Sequence, residues 1–124
     1  MEFAVLFPRF RSKERDLRRD IDRLSIILQA VMRAIAEARS ESAGLTGRLN
    51  EARSRAALLY GDVIEDGRNR SGRGAAPINE AERQLMTGEQ RRDELDDHLA
   101  FLAGLEKQLA DVIAALRQQQ RVED

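Results

Sequence analysis

The residues most able to do chemistry in this sequence surround its single histidine, His98. The acidic residues near it are Glu89, Asp93, Glu94, Asp96 and Asp97. A carboxylate-type metal site between helices needs Glu-x-x-His, but Leu95 stands three residues before His98. General acid–base catalysis also needs a pocket that shifts carboxyl pKa values, which a solvated helix face lacks. We therefore predict a structural or solvated histidine, with no catalytic residue, no metal ligand and no cofactor.

A second candidate is the glycine-rich stretch from Gly67 to Gly74, which contains Arg68, Arg70 and Arg73. Arginines on a mobile turn could contact phosphate or an acidic partner. A phosphate-binding P-loop would add a Lys-Ser/Thr pair and a preceding strand, and this stretch has neither. We interpret it as a flexible turn whose three arginines are candidates for anion contacts.

The N-terminus combines aromatic and basic residues. Residues 1–11 form an apolar arm containing Phe3, Leu6, Phe7 and Phe10, and basic residues follow from Arg9 to Arg19. This combination suits an anionic membrane surface or a nucleic acid, but interspersed acidic residues dilute it. Exposed phenylalanines are costly in water, so we expect the arm to pack on its own chain or on a partner. The sequence leaves that choice open.

Composition narrows the function classes. The 21 basic and 22 acidic residues give a net charge of −1, so no strong field draws the chain to nucleic acid or membrane. The absence of cysteine excludes disulfides, thiolate chemistry and cysteine–zinc sites. No apolar run approaches the ~20 residues that span a bilayer, and the N-terminus is a poor signal peptide. We expect a cytoplasmic protein.

The strongest pattern is an apolar heptad repeat that occurs twice. Its steps alternate between four and three residues, which is the spacing of a left-handed coiled-coil seam. The first seam comprises Leu17, Ile21, Leu24, Leu28, Val31, Ile35, Ala38, Ser42, Leu45, Leu49, Ala52, Ala56, Leu59 and Val63. The second comprises Ile78, Ala81, Leu85, Gly88, Arg92, Leu95, Leu99, Leu102, Glu106, Leu109, Ile113 and Leu116.

These seams predict a single all-α domain, a long antiparallel helical hairpin. We expect helix 1 over 12–65, a loop over 66–77, helix 2 over 78–120 and a polar tail over 121–124. Gly44 and Gly47 each weaken a helix by up to about 1 kcal/mol relative to Ala and could break helix 1. The heptad keeps its phase across them, which favours a continuous helix.

Folding at the loop sets a predicted register. It brings Ala52 and Ala56 near Gly88 and Arg92. At the other end of the hairpin the apolar residues exceed one seam, and a helix that is apolar on several sides contacts more than one neighbour. The candidate partner or dimer interface there is Leu24, Ile27, Val31, Met32, Ile35, Phe101, Leu105 and Val112. A second hairpin would complete a four-helix bundle.

The expected function is therefore non-enzymatic protein–protein interaction, as an adaptor, spacer, assembly factor or small chaperone. The expected partners are a second copy, forming a homodimer, and an unidentified protein. The alternative is a peripheral binder of anionic membranes or nucleic acid through the aromatic and basic N-terminus, which the balanced charge supports less. The architecture is similar to that of many bacterial helical hairpins, but no shared motif carries the likeness.

Overall fold

The computed structural model describes the backbone of residues 2–66 and 75–123, and the side chains of residues 13–61 and 76–122. It contains helix α1, Glu2–Asp66, and helix α2, Ala75–Glu123. All the residues in these two ranges are helical, and the two helices form an all-α hairpin. The predicted fold class is confirmed. Neither helix, over the described residues, is long and apolar enough to cross a bilayer.

Helix α1 begins earlier than the sequence indicated. It starts at Glu2 rather than near Ser12, and Pro8 lies inside it. Pro8 is the seventh residue of the helix, where its missing N–H leaves the carbonyl of Ala4 without its usual partner and its ring crowds that carbonyl. The arm predicted for residues 1–11 therefore continues the helix, while the side chains of its phenylalanines lie outside the described residues.

The start of helix α2 also follows from local chemistry. Helix α2 begins at Ala75, so Pro77 lies in its first turn, where a backbone N–H would have no partner within the helix. Gly44 and Gly47 lie in the uninterrupted α1. Of the two alternatives for helix 1, the structure has the continuous helix.

Burial along both helices follows the heptads. Every first-seam position from Leu17 to Leu59 is buried or half-buried, and so is every second-seam position from Ile78 to Leu116. The charged seam residues Arg92 and Glu106 are half-buried. The 4–3 spacing therefore identified the core positions of both helices throughout the described side chains.

The chain divides into two compact units, each with a part of both helices. We call residues 37–99 the loop unit and residues 1–36 with 100–124 the terminal unit. In the terminal unit the buried apolar residues are Leu17, Ile21, Ile35 and Ile113. In the loop unit, Leu45, Leu49 and Leu95 form a core cluster, with Ala38 and Leu85 packed against it.

Gly88 packs closely against α1 in the loop unit. A Cβ placed on it would lie 2.5 Å from Cδ2 and 3.3 Å from Cγ of Leu49, and 3.7 Å from Cδ1 of Leu45. Gly88 therefore packs against Leu45 and Leu49, and Ala52, which the predicted register places near Gly88, lines a groove together with Gly88. The leucine side chains fill the space that the glycine leaves.

The glycines provide a matched test of this packing. We expect Gly47→Ala to stabilise the hairpin by up to about 1 kcal/mol, through helix propensity, because nothing lies within 4 Å of its added Cβ. Gly88→Ala gains the same propensity but must displace the buried Leu49, so it should be the less stable of the two variants. Urea unfolding followed by circular dichroism measures both. Equal stabilisation by the two substitutions would contradict the close approach at Gly88.

A second pair of variants tests the seam in the terminal unit. Ile35 is 5% exposed and Ile26 is 67% exposed on the same helix. Ile35→Asp buries an unpaired charge and should cost at least about 3 kcal/mol, while Ile26→Asp should change stability by less than about 1 kcal/mol. Thermal unfolding of both variants is the measurement. Full helicity and unchanged stability in Ile35→Asp would refute the core assignment.

Candidate functional site

The terminal unit exposes large apolar side chains outside its seam. Phe101 is 67% exposed, and Ile27 and Val112 are each 48% exposed. Leu105 lies between Phe101 and Val112 along α2 and is half-buried. Contiguous exposed apolar side chains of this size typically mark a binding surface.

These residues follow a second heptad pattern on each helix. On α2 the stripe Phe101, Leu105, Gln108, Val112 and Ala115 has steps of four, three, four and three residues. On α1 the stripe Ile27, Ala30 and Ala34 has steps of three and four. In heptad terms, with the seam at a and d, both stripes occupy positions g and c. Each helix therefore carries a second stripe with coiled-coil spacing.

The two stripes belong to the same side of the hairpin. In the loop unit, Glu41 and Arg91 both occupy position g and are bonded across the helices. Two heptads further from the loop, the equivalent positions are Ile27 and Leu105. Position g of one antiparallel helix thus adjoins position g of the other. We call Ile27, Ala30, Ala34, Phe101, Leu105 and Val112 the apolar face.

The loop unit uses the same g positions differently. The Arg91 Nε donates to Glu41 Oε2 at 2.8 Å, and Arg91 Nη2 donates to Glu41 Oε1 at 3.1 Å. Arg91 Nη1 also donates to Glu94 at 3.2 Å. The hydrogen bonds from Arg91 lower the pKa of Glu41 below its usual value. A bidentate pair such as this fixes the geometry between the helices at this level of the loop unit.

On the opposite side of the loop unit, two further side-chain pairs join the helices at positions e. Arg53 Nη2 donates to Glu89 at 3.3 Å, and the Tyr60 hydroxyl donates to Glu82. We did not predict these pairs from the sequence. The heptad positions could have indicated them, because charge pairs between the helices of a coiled coil are expected at positions e and g.

The predicted interface residues fall into three groups. By heptad position, Ile27, Phe101, Leu105 and Val112 belong to the apolar face. Met32 is exposed but occupies position e, on the other side of the hairpin, and Ile35 is buried in the seam. The remaining two, Leu24 and Val31, are half-buried seam residues. Four of the eight predicted residues thus share positions g and c, and the interface itself stays a prediction.

Of the other candidates, His98 occupies position g of α2, one heptad before Leu105. His98, Asp96 and Asp97 are exposed, and the described residues contain no cluster of three or more histidine or acidic side chains able to hold a metal ion. The remaining predictions fall on Arg68, Arg70 and Arg73 and on Phe3, Leu6, Phe7 and Phe10, whose side chains lie outside the described residues. For these the sequence-based predictions stand untested.

A groove that the sequence analysis did not predict lies beside Gly88 in the loop unit. Its volume is about 610 Å³, and Leu45, Leu49 and Ala52 line its base. Its rim is largely charged: Arg48, Glu51, Arg55, Glu80, Arg83 and Arg91. The groove therefore combines an apolar base with a charged rim. The glycine at a seam position of α2 is the sequence feature that could have indicated this groove.

Comparison with known proteins does not extend these observations. No protein-family model matches the chain, and no curated protein or solved structure shows significant similarity to it. The function is therefore inferred from the residues and their geometry alone.

The Glu41–Arg91 pair gives a pH prediction. Because the pKa of Glu41 is lowered in the folded state, its contribution to stability is present above the ordinary pKa of about 4.3 and is lost as the pH falls through the folded value. Wild type should therefore exceed Glu41→Gln in melting temperature at pH 7, and the difference should shrink toward pH 3. A difference that stays constant over this range would argue against the pair.

Proposed function

We propose that this protein is a non-enzymatic coiled-coil interaction module, whose apolar face binds a helical partner. The observation that carries the proposal is the second stripe on α2, in which Phe101, Leu105 and Val112 repeat with heptad spacing and remain partly or largely exposed. A helix packs on a helix by matching this spacing. An irregular loop has no such repeat and would not match it along several turns.

The contrast between the units supports the same conclusion. At one level of the loop unit the g positions contain the Glu41–Arg91 pair, whereas the equivalent positions in the terminal unit are Ile27 and Leu105. Removing apolar surface from water is favourable by about 25 cal/mol per Å². Binding at the apolar face would therefore be driven by the burial of these apolar side chains.

An adaptor, a spacer, an assembly factor and a small chaperone would all use such a face, so protein binding is the common proposal. The alternative, a membrane or nucleic-acid surface at the N-terminus, has weaker support. At the start of the described side chains, Arg15, Arg18 and Arg19 alternate with Glu14 and Asp16, and all five are exposed. Mixed charge of this kind gives no strong attraction to a polyanion.

A photocrosslinking experiment tests the proposal. A photoreactive phenylalanine analogue replaces Phe101 in the full chain, expressed in cells of the source organism, and covalent products are identified by mass spectrometry. Met86, which is 71% exposed in the loop unit, receives the same analogue as a matched control. We expect a discrete protein adduct from position 101 and none from position 86.

The outcomes of this experiment separate clearly. A discrete adduct at position 101, whether to this chain or to another protein, supports the proposed function. Equal diffuse labelling from both positions, or no adduct at all, contradicts it. Adducts to phospholipid or nucleic acid at position 101 would favour the alternative class of binder.

A further inference from the structure

We propose that the occupant of the apolar face is a second copy of this chain, arranged so that α1 of each copy packs against α2 of the other. This inference rests on the proposed function and adds the identity and orientation of the partner. The two-fold axis would run parallel to the helices, so every neighbouring helix in the resulting four-helix bundle is antiparallel.

The sizes of the side chains favour this pairing. The α1 stripe is mostly small, with Ala30 and Ala34 following Ile27, whereas the α2 stripe has the large residues Phe101 and Leu105. Facing helices pack well when large residues on one meet small residues on the other. Packing α1 on α2 provides this match. Packing like helices together would set large residues against large and alanine against alanine.

The charges beside the face favour the same pairing. At position f, which flanks the stripe, α1 has the exposed residues Arg19 and Arg33, while Arg23 at position c forms an ion pair with Asp20 at 3.7 Å. On α2 the exposed charge at position f within the terminal unit is Asp111, which also accepts a hydrogen bond from Lys107 at 2.8 Å. Packing α1 against α1 would set Arg19 and Arg33 of one copy beside those of the other, and like charges at an interface suppress that arrangement.

The register of the hairpin says which positions should meet. In the loop unit, the packing at Gly88 sets it level with Leu49. Three heptads further from the loop, the equivalent pair is Leu28 and Leu109, and Ala30 and Gln108 lie close to the same level. Because a two-fold axis parallel to the helices preserves height, Ala30 of one copy should meet Gln108 of the other.

Disulfide trapping in the full chain tests this geometry. The chain has no cysteine, so Ala30→Cys and Gln108→Cys each introduce a single thiol. The two purified variants are mixed and oxidised, and each is also oxidised alone. We expect a covalent dimer in the mixture and little in either variant alone, because a disulfide needs Cα atoms about 4.4–6.8 Å apart.

The matched control uses exposed positions on the other side of the hairpin. Gln29→Cys and Ala114→Cys occupy position b on their helices, and both native residues are exposed. Their mixture should give no covalent dimer under the same conditions. Light scattering of the unmodified full chain, over a range of concentrations, supplies the mass in solution and should correspond to two chains.

Each other outcome overturns part of the proposal. Efficient dimerisation of Ala30→Cys alone would show α1 packed on α1, and a mass of two chains without trapping in the mixture would also refute the arrangement. A mass of one chain at all concentrations would refute the second copy as the occupant. The proposed function would then be tested separately, by the adducts formed at position 101.

Discussion

The packing of Leu45 and Leu49 against Gly88 is the constraint on which the loop unit depends. Because a glycine occupies the seam position of α2, the leucine side chains of α1 fill the space between the backbones. This contact sets which residues lie opposite one another. The Glu41–Arg91 and Arg53–Glu89 pairs occur at the heptad positions that this register brings together. Charge pairs on the surface are individually weak, so they follow the register more than they create it.

The same seam has different surroundings in the two units. Beside it, the loop unit has arginine, glutamate and tyrosine side chains bonded between the helices, while the terminal unit has an isoleucine, a phenylalanine and a valine open to water. A hairpin gives each helix one neighbour, and a helix with a second apolar stripe requires another. The functional proposal follows from this difference in chemistry between stretches that share one heptad pattern.

The sequence analysis succeeded where a residue's role depends on periodicity. Burial of the seam from Leu17 to Leu59 follows from spacing alone, because 3.5-residue periodicity selects one side of a helix. Pairs between the helices were not predicted, because Glu41–Arg91 and Arg53–Glu89 depend on how the two helices are aligned. The start of α1 was placed ten residues late because Pro8 was given too much weight. The interface outside the seam stays a prediction.

The sequence by itself determined that the chain forms two helices, which residues enter their common seam, and that apolar residues remain in excess near Ile27 and Val112. These are properties of each helix alone, set by local hydrogen bonding and by the spacing of apolar side chains. Only the tertiary structure decided that Glu41 reaches Arg91 and that Arg53 reaches Glu89. Those facts depend on register, which long-range packing fixes because it decides which side chains share the same space.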